Sequence, residues 1–101
     1  MAGGAGTLLM VIRWTPSGVA DFKTISHRIE QDRNLETANR VCRTIYVAIQ
    51  ILRRHPQSGR PGLEEGTREL VIPSLPYVVA YRVLPNAVQI LRIWHGAQDR
   101  P

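Results

Sequence analysis

The sequence predicts an α+β domain in which an antiparallel sheet is covered by a helical hairpin. Two amphipathic helical segments lie between residues 16 and 55, separated by a short turn. Three β-favouring runs follow residue 66, and their connections are short enough to make them antiparallel neighbours. Because each helix has one apolar face that must be covered, we expect both helices to pack on the sheet. The expected element order is β-α-α-β-β-β.

Length and composition indicate a single small domain. The chain has 101 residues, 44% of them hydrophobic, which is enough to bury a modest core. We expect residues 1–9 to form a flexible N-terminal extension and residues 10–101 to form the domain, with Met10 as an alternative start. The extension lacks the features of a signal peptide, and no apolar stretch of the sequence is long enough to span a membrane. A cytoplasmic protein without membrane contact is therefore expected.

The first strand and the first helix meet at Thr15. Residues 8–14 favour a strand, Thr15 can cap a helix, and Pro16 suits the first helical position. Apolar residues then recur at spacings of three and four, which predicts the buried face of a helix ending near residue 31. These residues are Val19, Phe22, Ile25 and Ile29.

The second helix has the clearest periodicity in the chain. Asn34 is its predicted cap, and Glu36 in its first turn suits the helix dipole. Basic residues at 53–55 suit its end, and Pro56 prevents its continuation. Its apolar stripe is Ala38, Val41, Cys42, Ile45, Ala48, Ile49 and Leu52. Because Cys42 is the single cysteine and lies on this stripe, we expect a buried thiol and no intramolecular disulfide.

The final third of the chain carries an arginine in each predicted strand. The strands span residues 67–72, 76–83 and 88–96, contain Arg68, Arg82 and Arg92 respectively, and end near His95. Arg60, Arg82 and Arg92 are candidate residues for binding an anion or an acidic partner, in keeping with the net charge of +5. Of the 13 basic residues, 12 are arginines. A GC-rich genome, which favours arginine codons, is the alternative explanation of this predominance. Strand alternation groups Arg92 with Val88, Ile90 and Trp94, and His95 with Ile93 on the other face.

Five segments together resemble the RelE/ParE superfamily of toxins from bacterial type II toxin–antitoxin systems. They are WTP at 14–16, HPQSGRPG at 55–62, GTRELVI at 66–72, PYVVAYRV at 76–83 and ILRIWHG at 90–96. The loop at 59–62 and the strand after it are closer to ParE-like members. The resemblance covers residues 10–101 and implies a toxin neutralised by a cognate antitoxin in a hetero-oligomer. It also implies that DNA contact is made mainly through the antitoxin. No cofactor is expected, and no metal is expected because neither His27 nor His55 has metal-ligand spacing with another histidine or cysteine.

The resemblance leaves three functions open. A ParE-like toxin inhibits DNA gyrase and is not an enzyme. A RelE-like toxin cleaves mRNA on the ribosome as a metal-independent endonuclease. A degenerate member only binds its antitoxin. Of these we favour the ParE-like function, because it requires a helical hairpin and a basic surface but no catalytic constellation.

The RelE-like alternative assigns chemistry to two residues. The resemblance implies that Arg68 binds phosphate and that His95 acts as acid or base. The chain departs from the RelE pattern because Arg60 is the only basic residue in the segment before residue 68 and no tyrosine follows His95. Tyr77 and Tyr81 are expected in the core. Each residue also has a purely structural alternative to a catalytic role. Arg68 would form a salt bridge with Glu69 or Glu65, and His95 would pack near Trp94 at the end of the sheet.

Overall fold

The computed structural model describes residues 9–97. The α+β class is confirmed, and the two helices and the last three strands lie within a few residues of their predicted positions. Residues 1–8, most of the predicted N-terminal extension, lie outside the described residues. The elements are β1 (Val11–Trp14), α1 (Pro16–Asp32), α2 (Leu35–Ile51), β2 (Arg60–Pro61), β3 (Thr67–Val71), β4 (Tyr77–Val83) and β5 (Ala87–His95).

Both helices begin at the predicted caps. The Thr15 hydroxyl accepts a hydrogen bond from the Gly18 amide at 3.0 Å, and the Asn34 side chain accepts one from the Thr37 amide at 2.7 Å. Each contact satisfies an amide in the first turn that has no partner within the helix. The Thr15 hydroxyl also donates to the Ile90 carbonyl at 2.8 Å, so the start of α1 is tied to β5.

The sheet is mixed and has five strands in the order β1-β5-β4-β3-β2. The prediction of a wholly antiparallel, four-stranded sheet is therefore wrong in two respects. β1 runs parallel to β5, with Val11 opposite Ala87 and Trp14 opposite Ile90. β2 adds a two-residue antiparallel edge beside β3. β2 has only two residues, Arg60 and Pro61, and no sequence pattern distinguishes them from the loop on either side, so this strand was not predicted.

The path of the hairpin explains why β1 is parallel to β5. α1 continues beyond β1, and α2 returns the chain to the end of the sheet where β1 began. There the Met10 amide donates to the Arg53 carbonyl at 2.9 Å. β3 therefore starts in the direction of β1, β4 reverses, and β5 has the direction of β1 again.

The core lies between the helical hairpin and one face of the sheet. It includes Ile45 and Ile49 of α2, the C-cap residue Leu52, and Val79, Tyr81, Val88, Ile90 and Ile93 of β4 and β5. Cys42 is only partly buried on the α2 stripe. Within residues 9–97 no helix is long and apolar enough to cross a membrane. The same residues contain no group of three His, Cys, Asp or Glu side chains placed to hold a metal ion.

A β-bulge in β5 changes which residues share a face. Ala80 lies opposite Arg92 and Tyr81 lies opposite Ile90, so Leu91 is the extra residue. One extra residue shifts the alternation by one position. Val88, Ile90 and Ile93 all belong to the core as a result. The prediction that Arg92 shares a face with Val88 and Ile90 is therefore wrong, although Arg92 and His95 still lie on opposite faces.

Candidate functional site

The sheet face turned away from the helices carries most of the polar side chains. We call this side the open face. Strand register places Arg60, Glu69, Ala80 and Arg92 in one row across four strands, and Thr67, Arg82, Gln89 and Arg13 in the next. A groove of about 470 Å³ runs over it. Its lining is Thr15, Ser17, Leu63, Glu64, Thr67, Glu69, Ala80, Arg82, Leu91, Arg92 and Trp94.

Arg60 is held by a buried carboxylate on the open face. The Glu69 side chain is only 4% exposed, and its Oε1 accepts from Arg60 Nε at 3.1 Å and from Arg60 Nη2 at 2.9 Å. Charge-assisted hydrogen bonds of this kind offset the cost of burying the carboxylate. Arg60 therefore already holds a carboxylate of its own chain, at the junction of β2 and β3.

Arg92 is held by Asp21 of α1. Arg92 Nε donates to Asp21 Oδ2 at 2.7 Å and Arg92 Nη2 donates to Oδ1 at 3.2 Å, which is a bidentate geometry. The hydrogen bond to Asp21 raises the pKa of Arg92, against a smaller lowering by burial. Asp21 Oδ2 also accepts from the Ile93 amide at 2.9 Å, immediately after the bulge. Asp21 therefore ties α1 to the irregular part of β5.

Arg82 differs from Arg60 and Arg92, the other two candidate partner-binding arginines. Within residues 9–97 no carboxylate lies within salt-bridge distance of its guanidinium. The guanidinium lies beside Gly66, where a side-chain carbon would come within 2.8 Å of Arg82 Nη1. Gly66 also has a φ of +81°, which favours glycine. Of the three candidate partner-binding arginines, Arg82 is the one whose charge no carboxylate of residues 9–97 neutralises, so it offers the most net attraction to an external anion.

Arg68 lies on the helix side of the sheet and holds the loop after α2. Its Nη1 donates to the Gly59 carbonyl at 2.5 Å and to the Gln57 carbonyl at 3.3 Å. The salt bridge to Glu69 or Glu65, considered as the structural alternative for Arg68, does not form within residues 9–97. Neighbouring residues of β3 point to opposite faces, and Glu69 faces the groove. Alternation along β3 was the signal that could have separated Arg68 from the open face.

Tyr81 lies in the core, as predicted, and its hydroxyl binds the same loop. Its hydroxyl donates to the Pro56 carbonyl at 2.8 Å and accepts from the Gly59 amide at 2.8 Å. A side chain at position 59 would come within 2.6 Å of the Tyr81 hydroxyl, so the site requires glycine. Burial raises the pKa of Tyr81 above 10.0, while the Gly59 amide and Arg68 act in the opposite direction.

We expect the free energy of unfolding to fall as the pH rises above about 10. A raised pKa means that the folded chain holds the Tyr81 proton more tightly than the unfolded chain does, so this stabilisation is lost with increasing pH. Urea unfolding between about pH 9 and pH 11 measures the effect. In Tyr81→Phe the free energy of unfolding should fall less steeply with pH. Some of the fall should remain, because burial also raises the pKa of Tyr77. Equal declines in the two proteins would contradict this assignment.

His95 lies at the far end of β5, on the side of the core. Its ring packs edge-on against Tyr77, with centroids 5.5 Å apart, and its Nδ1 accepts from the Ala97 amide at 3.1 Å. Arg68 lies opposite Tyr81 and His95 lies opposite Tyr77 in the sheet. Four residues and two strand spacings separate their Cα atoms by about 16 Å. The two candidate catalytic residues therefore do not form one site.

Comparison with known proteins agrees with this fold. The family model of the ParE toxin of type II toxin–antitoxin systems matches residues 12–100. The Y4kP protein of Sinorhizobium fredii is 39% identical over 90 residues, covering 89% of this chain and 92% of the relative. Toxin RelE1 of Caulobacter vibrioides is 35% identical over 71 residues, covering 68% of this chain and 75% of the relative.

Two solved structures share the fold. The chromosomal ParDE toxin–antitoxin system of P. aeruginosa superposes with a TM-score of 0.80 at 26% identity, covering 88% of this chain and 98% of the other. The toxin–antitoxin complex RelBE2 of Mycobacterium tuberculosis superposes with a TM-score of 0.61 at 23% identity, covering 92% and 98%. With a family model that spans nearly all of the described residues, the chain belongs to the ParE toxins of type II toxin–antitoxin systems, within the RelE/ParE superfamily.

Proposed function

We propose that this toxin is a ParE-like inhibitor of DNA gyrase, held inactive in the cytoplasm by a cognate antitoxin. The separation of Arg68 from His95 carries the proposal. RNA cleavage requires an acid, a base and a phosphate-binding cation within hydrogen-bond reach of one substrate. Here Arg68 is engaged with loop carbonyls at one end of the sheet and His95 packs on Tyr77 at the other. Inhibition by binding needs no such constellation.

A RelE-like mRNA endonuclease is the second candidate. The observation that favours it is the similarity to toxin RelE1 over 71 residues. Under this alternative Arg68 binds phosphate and His95 acts as acid or base, as the resemblance implies. Because the two residues lie far apart, the remaining catalytic groups must come to each of them when the substrate binds. A degenerate toxin that only binds its antitoxin is the third candidate.

We propose that the open-face groove is one contact site for the antitoxin, within a single toxin domain spanning residues 10–101. Arg82 would receive a carboxylate of the antitoxin, and Trp94 and Leu63 would contact its apolar side chains. The solved ParDE and RelBE2 systems support an antitoxin partner. DNA contact of the complex is assigned mainly to the antitoxin, because two of the three candidate arginines are already paired within this chain.

Paired assays on the purified toxin test the target. We expect inhibition of gyrase supercoiling with accumulation of cleavage complexes, and intact mRNA on programmed ribosomes. Arg68→Gln and His95→Gln should keep gyrase inhibition, as should the control Arg33→Gln at an exposed position between the helices. Ribosome-dependent cleavage that either of the first two variants abolishes would overturn the proposal in favour of the endonuclease. Absence of both activities would favour the degenerate toxin.

A further inference from the structure

The outer surface of α2 exposes large apolar side chains that the fold does not use. Tyr46, Val47 and Ile51 are 50%, 53% and 53% exposed. Val47 and Ile51 are four residues apart and form a stripe with Arg43 and Arg54, and Tyr46 lies beside it. We call these five residues the outer stripe. It spans about 16 Å along the helix and its continuation. It is separate from the core-facing residues of α2, which include Val41, Ile45 and Ile49.

Positive charge is concentrated around the outer stripe. Residues 35–54 contain four arginines and one glutamate, a sum of +3 out of the net +5. Within residues 9–97 no carboxylate lies within salt-bridge distance of Arg43 or Arg54. The groove differs, because its lining contains two glutamates as well as two arginines, so the charges of its lining residues balance. An acidic partner is therefore attracted more strongly to α2 than to the groove.

We propose that the outer stripe is a second docking surface for the antitoxin and receives an amphipathic helix whose apolar side is bordered by carboxylates. This inference rests on the proposed neutralisation by an antitoxin. A helix laid on α2 would cover Val47 and Ile51 and place carboxylates near Arg43 and Arg54. Eleven residues line the groove, whereas a stable interface takes about 20–30 residues on each side, so we expect the antitoxin to contact further surface outside the groove.

A second copy of the toxin fits this surface poorly. Antiparallel pairing of two α2 helices that cross midway between Val47 and Ile51 brings Arg43 of one copy near Arg54 of the other, and parallel pairing brings Arg43 near Arg43. Like charges in such contact are unfavourable. A lipid surface also fits poorly, because three apolar side chains on a helix packed against its own sheet insert little apolar area.

The variant Val47→Glu with Ile51→Glu tests the proposal. We expect its affinity for the purified cognate antitoxin, measured by isothermal titration calorimetry, to fall by about 30-fold or more. The matched control is Leu35→Glu, on the same helix at 56% exposure but away from the outer stripe, and it should bind like the wild type. Arg43→Gln with Arg54→Gln should slow association and reduce its dependence on salt.

Three further measurements complete the test. Thermal unfolding must show that the variants fold, as expected for half-exposed positions in a helix that tolerates glutamate. Gyrase inhibition by the free toxin should be unchanged, so that failure of the gyrase proposal can be told apart from failure of this one. Unchanged antitoxin affinity overturns the inference. The inference is also overturned if the Val47→Glu with Ile51→Glu variant keeps the antitoxin affinity of the wild type but loses a toxin dimer seen by sedimentation. The same holds if it keeps that affinity but loses binding to phosphatidylserine vesicles.

Discussion

Replacing Tyr81 by phenylalanine is expected to lower the free energy of unfolding by about 2 kcal/mol. The side chain is fully buried, so the ring keeps its packing and only the hydroxyl is lost. That hydroxyl bridges the Gly59 amide and the Pro56 carbonyl. Removing one member of a buried hydrogen-bonded set leaves the others with a desolvation cost. Urea unfolding monitored by circular dichroism measures the change.

Tyr46→Phe is the matched control for this prediction. Tyr46 is half exposed, so its substitution should change the free energy of unfolding by less than about 0.5 kcal/mol. An effect of Tyr81→Phe no larger than this would show that the loop after α2 does not depend on the hydroxyl. Because Arg68 binds the same loop, we expect the effects of Tyr81→Phe and Arg68→Gln to be non-additive.

Replacing Asp21 by alanine is also expected to destabilise the fold by about 2 kcal/mol. The change removes the bidentate contact with Arg92 and the acceptor of the Ile93 amide. The Arg92 side chain is 42% exposed, so water can solvate its guanidinium once Asp21 is removed. Most of the lost stability therefore comes from the hydrogen bond between the Ile93 amide and Asp21. The bulge should loosen as a result, which faster amide hydrogen exchange at Ile93 would report.

Asp32→Ala provides the comparison for Asp21. Asp32 is an exposed acidic residue in the last turn of α1, where a negative charge opposes the helix dipole. Its replacement should be neutral or slightly stabilising. Similar unfolding free energies for the Asp21 and Asp32 variants would contradict the structural role given to Asp21.

These contacts change how the arginines of the final strands are interpreted. The sequence suggested a basin of cations contributed by Arg60, Arg82 and Arg92. In the fold Glu69 holds Arg60 and Asp21 holds Arg92, so two of the three stabilise the sheet. A partner that uses them must compete with carboxylates already in place. Arg82 and the arginines of α2 are better placed to provide net attraction.

The helices could be predicted because their signals are local. The caps at Thr15 and Asn34 and the apolar stripe of α2 depend on residues a few positions apart, and those interactions are the same in any surrounding fold. The three C-terminal strands could be predicted equally well, because strands joined by short connections can pair only as antiparallel neighbours. The family resemblance followed from the same segments taken in order.

The candidate site was less predictable because it depends on pairing between distant residues. No local pattern indicates that Asp21 reaches Arg92 across 71 positions, or that Leu91 is the extra residue of a bulge. Without the bulge, simple alternation assigns Arg92 to the wrong face. β1 likewise carries no mark of its partner, and its parallel pairing follows from the direction in which the hairpin returns the chain.

By itself the sequence determined the α+β class, both helices with their caps, and membership of a toxin family, because periodicity, capping and motif order are properties of neighbouring residues. Only the tertiary structure decided which arginines face the groove, which are already paired, and that Arg68 and His95 lie at opposite ends of the sheet. Those outcomes depend on strand register, where a shift of one residue moves every following side chain to the other face.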